Sequence, residues 1–471
     1  MFDKKHVAFR GRLVIVGFGS IGQGALPLLL RHVEISPDQI SIITAEPRGR
    51  AVATEYGVRF IETALTQENY RAILESRVGR GDFLLNVSVD VSSVALIELC
   101  QNRGALYLDT CIEPWPGGYT DPTLPPSARS NYALRESALA LRPRYPGGPT
   151  AILTHGANPG LVSHFVKQAL IDLAQESGFG ASAPSEPNDW ALLAEQLGIK
   201  VIHIAERDSQ LGTIPKAPGE FVNTWSIDGF VSEGSQPAEL GWGTHERHLP
   251  KDGRRHDFGC GAAIYLLRPG AATRVRSWTP LEGPYHGFLI THGESISIAD
   301  YLTLRDGHRV RSRPTCHYAY HPCDDAVLSL HEFSGKNWQL QRLKRLMMEE
   351  ISSGTDELGV LMMGPPKGVY WFGSRLTIAE ARRTAPHNNA TSLQVTAAVL
   401  AGVVWALEHP RQGIVEPEQM DFARILDIAR PYLGEMVGVR GDWTPLDGRE
   451  SLFAEGLDRE DPWQFKNVRV A

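Results

Sequence analysis

Eight side chains in this sequence stand at or near the ends of apolar runs, where a chain leaving a sheet exposes its reactive groups. Asp90 follows LLNVSV, Glu113 follows LYLDTCI, and Asn158 lies in THGANPG. In open α/β sheets ligands gather beyond the carboxyl ends of strands, so these three are expected to converge on one crevice. Further along, Glu206 lies in HIAERDSQ, Trp225 and Glu233 share the hairpin-like segment NTWSIDGFVSEG, His292 lies in THGESISI, and Asp356 in SGTDELGVLMMG. Carboxylates attract an ammonium group, and the face of a tryptophan ring attracts a cation. The set therefore suits a cationic amine. Taken singly, each residue is equally well a cap, a turn or a core residue. Asp90 precedes a predicted helix that begins near Ser92, where an acid also serves as a cap.

A second chemistry is written in LVIVGFGSIGQGALPLLLRH, residues 13 to 32. Gly17, Gly19 and Gly22 have the spacing G-x-G-x-x-G, with a strand before them and a helix after, although Pro27 lies inside that helix. In a dinucleotide fold the first glycine makes the tight turn, the second lets the backbone approach a pyrophosphate, and the third packs helix on strand. The helix N-terminus offers unpaired N–H groups to the phosphates. QISIITAEP predicts a second strand ending in Glu46. An acid there hydrogen-bonds the ribose hydroxyls and repels a 2′-phosphate, which favours NAD, while Arg48 two residues on pulls the other way.

The elements needed to hold these groups are legible in outline. A chain of 471 residues exceeds what one core usually supports, so two domains are expected. Residues 1 to 150 alternate short apolar runs with helical segments: VRFIETAL, a helix opened by Thr66, DFLLNVSVD, a helix ending at Gly104, ALYLDTCIEPW and a helix at 129 to 142. That alternation predicts a Rossmann-type, doubly wound parallel sheet. Residues 151 to 388 are expected to form a second, α+β domain. Within it, 180 to 188 is an exposed linker, and 200 to 335 is mostly antiparallel strand with few helices. Residues 389 to 471 read as a C-terminal helical segment that can return to the first domain.

Composition narrows the partners. A net charge of −7 argues against a phosphate-driven nucleic-acid binder. Five scattered cysteines without a C-x-x-C pair fit a reduced, cytoplasmic protein. The N-terminus lacks the apolar core of a signal peptide, and no uninterrupted apolar run approaches the length of a membrane span. THERH at 244 to 248 fails the H-E-x-x-H zinc pattern because position 249 is leucine. CHYAYHPC at 316 to 323 reads as a strand with His317 and His321 as surface or network residues, so no metal is expected.

GFGSIGQG, NVSVDVSS, YLDTCIEPWPGG, THGANPGLVSHF, NTWSIDGF, CHYAYHPCDDAV and TDELGVLMMG together resemble the bacterial homospermidine synthases. The resemblance spans nearly the whole chain. More distantly the plan is similar to saccharopine dehydrogenase-like reductases. The resemblance implies a homodimer that binds NAD and performs a redox-neutral aminobutyl transfer. Putrescine is oxidised to an imine, joined to a second putrescine as a Schiff base, and reduced by the same cofactor to homospermidine; spermidine can serve as donor. Carried over by motif, Asn158, Glu206 and Trp225 would be catalytic. Asp90, Glu113, Glu233, His292 and Asp356 would bind substrate. The cofactor set would comprise Gly17, Gly19, Ser20, Ile21, Gly22, Glu46, Ser88, Thr110, Ala157 and Pro159. Glu46 departs from the aspartate usual at its place, though glutamate can do the same ribose work. The competing expectation is an NAD(P)H-consuming reductase of the saccharopine or carboxynorspermidine type, which would need a basic residue for a substrate carboxylate.

Overall fold

The computed structural model of the chain describes residues 4–179, 182–365 and 368–470. Its first part runs β1 (Leu13–Val16), α1 (Ser20–His32), β2 (Ile40–Thr44), β3 (Arg59–Glu62), β4 (Phe83–Asn86), α2 (Ser93–Arg103), β5 (Leu106–Asp109), α3 (Asn131–Leu139), β6 (Ala151–Ile152) and α4 (Leu161–Glu176). Then follow β7 (Val201–Asp208), β8 (Glu220–Asn223), α5 (Ile227–Ser235), β9 (Pro237–Gly241), β10 (Gly253–Arg255), β11 (Ala263–Pro269), β12 (Arg274–Thr279), β13 (Gly283–Phe288) and α6 (Glu294–Tyr301). The last part holds β14 (Thr315–His321), α7 (Asp324–Gly335), β15 (Leu343–Leu346), β16 (Thr355–Met363), β17 (Val369–Thr377), α8 (Ala390–Glu408), β18 (Ile414–Val415), α9 (Phe422–Ala429) and β19 (Glu435–Gly441).

The first sheet has seven strands, all parallel, in the order β3-β2-β1-β4-β5-β6-β18. β1 (LVIV) and β4 (FLLN) are buried at every residue, as parallel strands covered on both faces must be. Strand order reverses between β1 and β4, which opens a crevice at their carboxyl ends. This is the Rossmann-type α/β architecture. The second sheet has ten strands in the order β10-β11-β9-β14-β7-β16-β17-β19, with the β12–β13 hairpin attached to β14. Its central pair, β14 and β7, is parallel, and the other pairings are antiparallel.

α8 is the shared core element. It packs on α1 and touches β5 and β6 of the first sheet and β16 and β17 of the second. It is long and apolar enough to cross a membrane, but 89% of its most apolar window is buried inside the protein. Its apolarity all round is what burial between two sheets demands.

Several local expectations are corrected. β2 ends at Thr44, so Glu46 lies beyond the strand. The helix expected from Thr66 starts only at Tyr70, because Thr66 and Asn69 form a turn in which Thr66 N–H donates to Asn69 Oδ1 at 2.8 Å. NTWSIDGFVSEG is no hairpin: it leaves β8, turns through Trp225, and enters α5, whose N-cap Ser226 accepts from Gly229 N–H. THGESISIADY, read as strand, is α6. Region 200 to 335 thus holds three helices, α5, α6 and α7, where few were expected. The last eighty-odd residues are not solely helical, since β18 closes the edge of the first sheet and β19 the edge of the second. α1 runs through Pro27 without a break. Gly180 and Ala181 of the expected linker lie outside the described residues; 182 and 183 are exposed, and a helix begins at Pro187.

Candidate active site

The glycine loop is built as its spacing requires. Gly17 has φ +84°, and a Cβ there would lie 2.6 Å from Ser88 Cα. Only glycine fits that left-handed position against the backbone. A Cβ on Gly19 would meet nothing within 4 Å, so its surface is open. A Cβ on Gly22 would come 2.9 Å from Phe18 Cδ2 and 3.1 Å from Gly17 O. α1 begins at Ser20 and Ile21 with no side-chain cap and no acid in its first turn, which leaves its positive end for an anion. Ser88, just past β4, donates from Oγ to Asn86 Oδ1 at 2.6 Å. Thr110 lies just past β5, and buried Ala157 and Pro159 lie in the loop after β6. Glu46 is exposed and ion-paired with Arg48, whose Nε donates to it at 2.5 Å. The pair ties the charge of Arg48 to an acid. A cradle a Cβ would fill, an uncapped helix and an acid beyond β2 fit a dinucleotide without a 2′-phosphate.

The loop after β6 carries Asn158. Thr154, with φ +53°, donates its N–H to Asp109 Oδ1 at 2.6 Å, and His155 N–H donates to the Asp109 carbonyl at 2.7 Å. The loop closes on itself through Gly156 N–H and Pro159 O at 2.7 Å. Asn158 then reaches across to the second sheet, where its Nδ2 donates to Glu206 Oε2 at 2.9 Å.

Glu206 sits on β7, directly beside Tyr320 of β14. The Tyr318 hydroxyl donates to the same Oε2 at 2.5 Å. Burial lifts the Glu206 carboxyl far above the ordinary carboxylate range, against the pull of these two hydrogen bonds. Trp225 is half-buried between β8 and α5. Its indole Nε1–H donates to the Tyr320 hydroxyl at 3.0 Å, and its ring lies 5.1 Å from that of Phe230.

His292 joins a second group of acids. Its Nε2 bonds Glu233 Oε2 at 2.8 Å and its Nδ1 bonds Glu294 Oε1 at 3.3 Å. Burial opposes its charge, yet the two carboxylates outweigh burial and hold the imidazole well above its usual range. Both ring nitrogens are then donors. The ring lies 4.6 Å from that of Tyr318, which links this group to Glu206. Glu113 is pushed up to about 8, first by burial and then by the charges of Glu233 and Asp90. Asp90 donates its backbone N–H to Glu113 Oε2 at 3.4 Å. Asp90 does not cap α2; Ser92 does, accepting from Ala95 N–H at 3.3 Å. Its exposed side chain is raised by partial burial and by Asp228.

Asp356 lies on β16, which pairs with the Glu206 strand β7. It faces Asp208 across the β16–β7 ladder, and both are fully buried. The Thr391 hydroxyl, at the start of α8, donates to Asp356 Oδ2 at 2.5 Å and lies 3.3 Å from Asp208 Oδ2. Asp356 Oδ1 is buried with no hydrogen-bond partner among the described residues. Burial, then the charges of Glu206 and Asp208, drive Asp356 well upward.

The fold therefore gathers all eight side chains singled out above from two sheets into one acidic site. Tyr318, Tyr320, Asp208 and Glu294 were missed. The signal was present in the period-two alternation of CHYAYH, which puts both tyrosines on one face; attention went to its histidines. His317 proves fully buried, its ring 4.0 Å from that of His203, so it belongs to a buried network and not the surface. Among the described residues no group of three or more His, Cys, Asp or Glu could hold a metal.

Comparison with known proteins follows the same two halves. The family model of the saccharopine dehydrogenase NADP binding domain matches residues 13–152, and that of the saccharopine dehydrogenase C-terminal domain matches 156–442. A homospermidine synthase from Blastochloris viridis is 56% identical over 98% of this chain and 97% of its own. One from Mesorhizobium japonicum is 50% identical over 98% and 96%. The crystal structure of the homospermidine synthase of Legionella pneumophila in complex with NAD is 51% identical, covers 98% of each chain and superposes with a TM-score of 0.93. Similarity of this depth over nearly the full length means that the chain belongs to the homospermidine synthase family.

Proposed function

We propose that this enzyme joins two putrescine molecules into homospermidine with release of ammonia, or draws the aminobutyl group from spermidine with release of diaminopropane. The observation that carries this reading is the charge of the site. Glu206, Asp208, Asp356 and Glu113 are buried acids with raised pKa values. Among the described residues, none of their carboxylates hydrogen-bonds to a lysine or arginine. Desolvated acids that outnumber the cations near them suit a cationic ligand. A reductase of the saccharopine type needs a basic residue for a substrate carboxylate, and here the cationic His292 is already held by Glu233 and Glu294.

NAD, held by Gly17, Gly19, Ser20, Ile21, Gly22, Glu46, Ser88, Thr110, Ala157 and Pro159, would accept one hydride from the substrate and return it. Glu46 favours NAD over NADP, in line with the ligand of the Legionella relative. Asn158 and Glu206 orient the reacting amine, and Glu206 takes its proton before the C–H bond breaks. The Trp225 ring stabilises the cationic imine by a cation–π contact. Glu113, Glu233 and Asp90 receive one ammonium, with His292 holding the Glu233 carboxylate in place for it, and Asp356 receives the other. Asp208, facing Asp356, lies two residues from Glu206 on the same face of β7, about 7 Å along the strand. The nitrogens of an extended four-carbon diamine, joined by five single bonds of ~1.5 Å in zigzag, are roughly 6 Å apart. The enzyme is expected to act as a homodimer in the cytoplasm, away from nucleic acid and membrane; its five cysteines, all free, are in keeping with that compartment.

Incubation with putrescine and a trace of NAD⁺ tests the reading by mass spectrometry. Many molar equivalents of homospermidine per cofactor are expected. Absence of product from folded, NAD-loaded protein, or stoichiometric consumption of NADH with a keto acid, would overturn it.

A further inference from the structure

Two tyrosines on β14 have hydroxyls that the fold itself does not use. Burying a phenolic hydroxyl is costly unless it is bonded, so its partner reveals its purpose. Tyr285, on β13 of the same sheet, donates to the backbone carbonyl of Ala319 at 2.7 Å, a purely structural contact. Among the described residues the hydroxyls of Tyr318 and Tyr320 hydrogen-bond to site side chains: Glu206 at 2.5 Å and the Trp225 indole at 3.0 Å. Their rings stack on each other, 5.1 Å between centroids and 14° apart in plane, so neither turns alone.

We propose that Tyr318 and Tyr320 act as one positioning unit, in which Tyr318 holds the Glu206 carboxylate with one oxygen free for the amine and Tyr320 fixes the plane of the Trp225 ring. Both donors to Glu206, from Tyr318 and Asn158, land on Oε2, and among the described residues none donates to Oε1. The indole has a single N–H donor. Its bond to Tyr320, with Phe230 5.1 Å from the indole ring and 5.7 Å from that of Tyr320, sets how the ring faces the site. This assignment rests on the proposed function. It makes the two tyrosines separable in their effects.

The groups facing Glu206 are Asp208 on its own strand, His292 before α6, Tyr318 and Tyr320 on β14, Asp356 on β16 and Tyr285 on β13. Of these the Tyr318 hydroxyl is the strongest influence favouring the ionised carboxylate. Tyr318→Phe should therefore move the acid limb of the kcat/KM profile upward by about one pH unit, with activity largely recovered above it. Tyr318→3-fluorotyrosine, a stronger donor of nearly the same shape, should move it downward, which keeps the test open should the phenylalanine variant not fold. Tyr320→Phe should leave the limb in place and lower kcat several-fold. In its background the gap between Trp225 and Trp225→Phe should shrink, because phenylalanine has no N–H for Tyr320 to hold. An infrared titration of the carboxylic acid band lost in Glu206→Gln reads the same shift without turnover. A band that shifts in protein making no homospermidine sinks the proposed function and keeps this assignment. Active variants whose pH profile and band stay put, or that lose activity equally at every pH, overturn it.

Discussion

The two halves of the site recognise their ligands by opposite means. The cofactor crevice is made of backbone: three glycines, an uncapped helix end and one exposed acid. The amine site is made of side chains, nearly all buried, drawn from positions 90 to 391 and held by one another. A phosphate can be cradled by N–H groups that any sequence supplies, so the crevice needs only the absence of Cβ atoms. An ammonium needs fixed negative charge, and buried charge must be held against its own desolvation. The first half should fail by steric change and the second by loss of charge or proton balance.

The largest effect is expected on the side-chain half. Glu206→Gln keeps the shape and removes the base; kcat should fall by about 10² to 10⁴ while NAD affinity, measured by calorimetry, stays as it was. A parallel loss of NAD binding would show that the two halves are not separable. On the backbone half, Gly17→Ala places a Cβ 2.6 Å from Ser88 Cα at φ +84°. Strain of about 1 to 3 kcal/mol should weaken NAD roughly ten- to a hundredfold and leave amine binding in the apo protein intact. Trp225→Ala should lose most activity and Trp225→Phe should retain part of it, in keeping with roughly 0.5 to 2 kcal/mol for the ring. Equal activity of all three proteins would return Trp225 to a packing role.

Proton balance gives a subtler separation. Glu113 is raised to about 8 in the free protein, so its contribution to stability is complete below the ordinary carboxylate range and is lost as pH rises through about 8. Apo melting temperature should fall over that window. Putrescine, which binds the ionised acids, should restore it increasingly toward pH 8 and release protons on binding at pH 7. NAD should give a shift in melting temperature that barely depends on pH. The smallest effect expected is from Glu46→Gln, a few-fold loss of preference for NAD over NADP by competition titration.

The same contrast explains what could be read in advance. GFGSIGQG is contiguous and its glycines act through local backbone geometry, so the motif and its purpose were legible together. The eight reactive residues were also found, though singly. Their pairings were not, because Asn158 meets Glu206, and Trp225 meets Tyr320, only when α8 is sandwiched between two sheets. The differences at 227 to 235 and 294 to 301 share a cause: short segments rich in Ser, Ile and Val carry strand propensity, and tertiary burial made helices of them.

Sequence by itself determined the parallel sheet, the glycine turn and the residue types available for an amine. These follow from periodicity and from what glycine alone can do. The tertiary structure decided which acids sit together, which oxygen of Glu206 stays free, and that β18 and β19 complete the two sheets from the far end of the chain. Charge interactions among buried groups depend on distance and desolvation, and neither exists until the chain has closed around them.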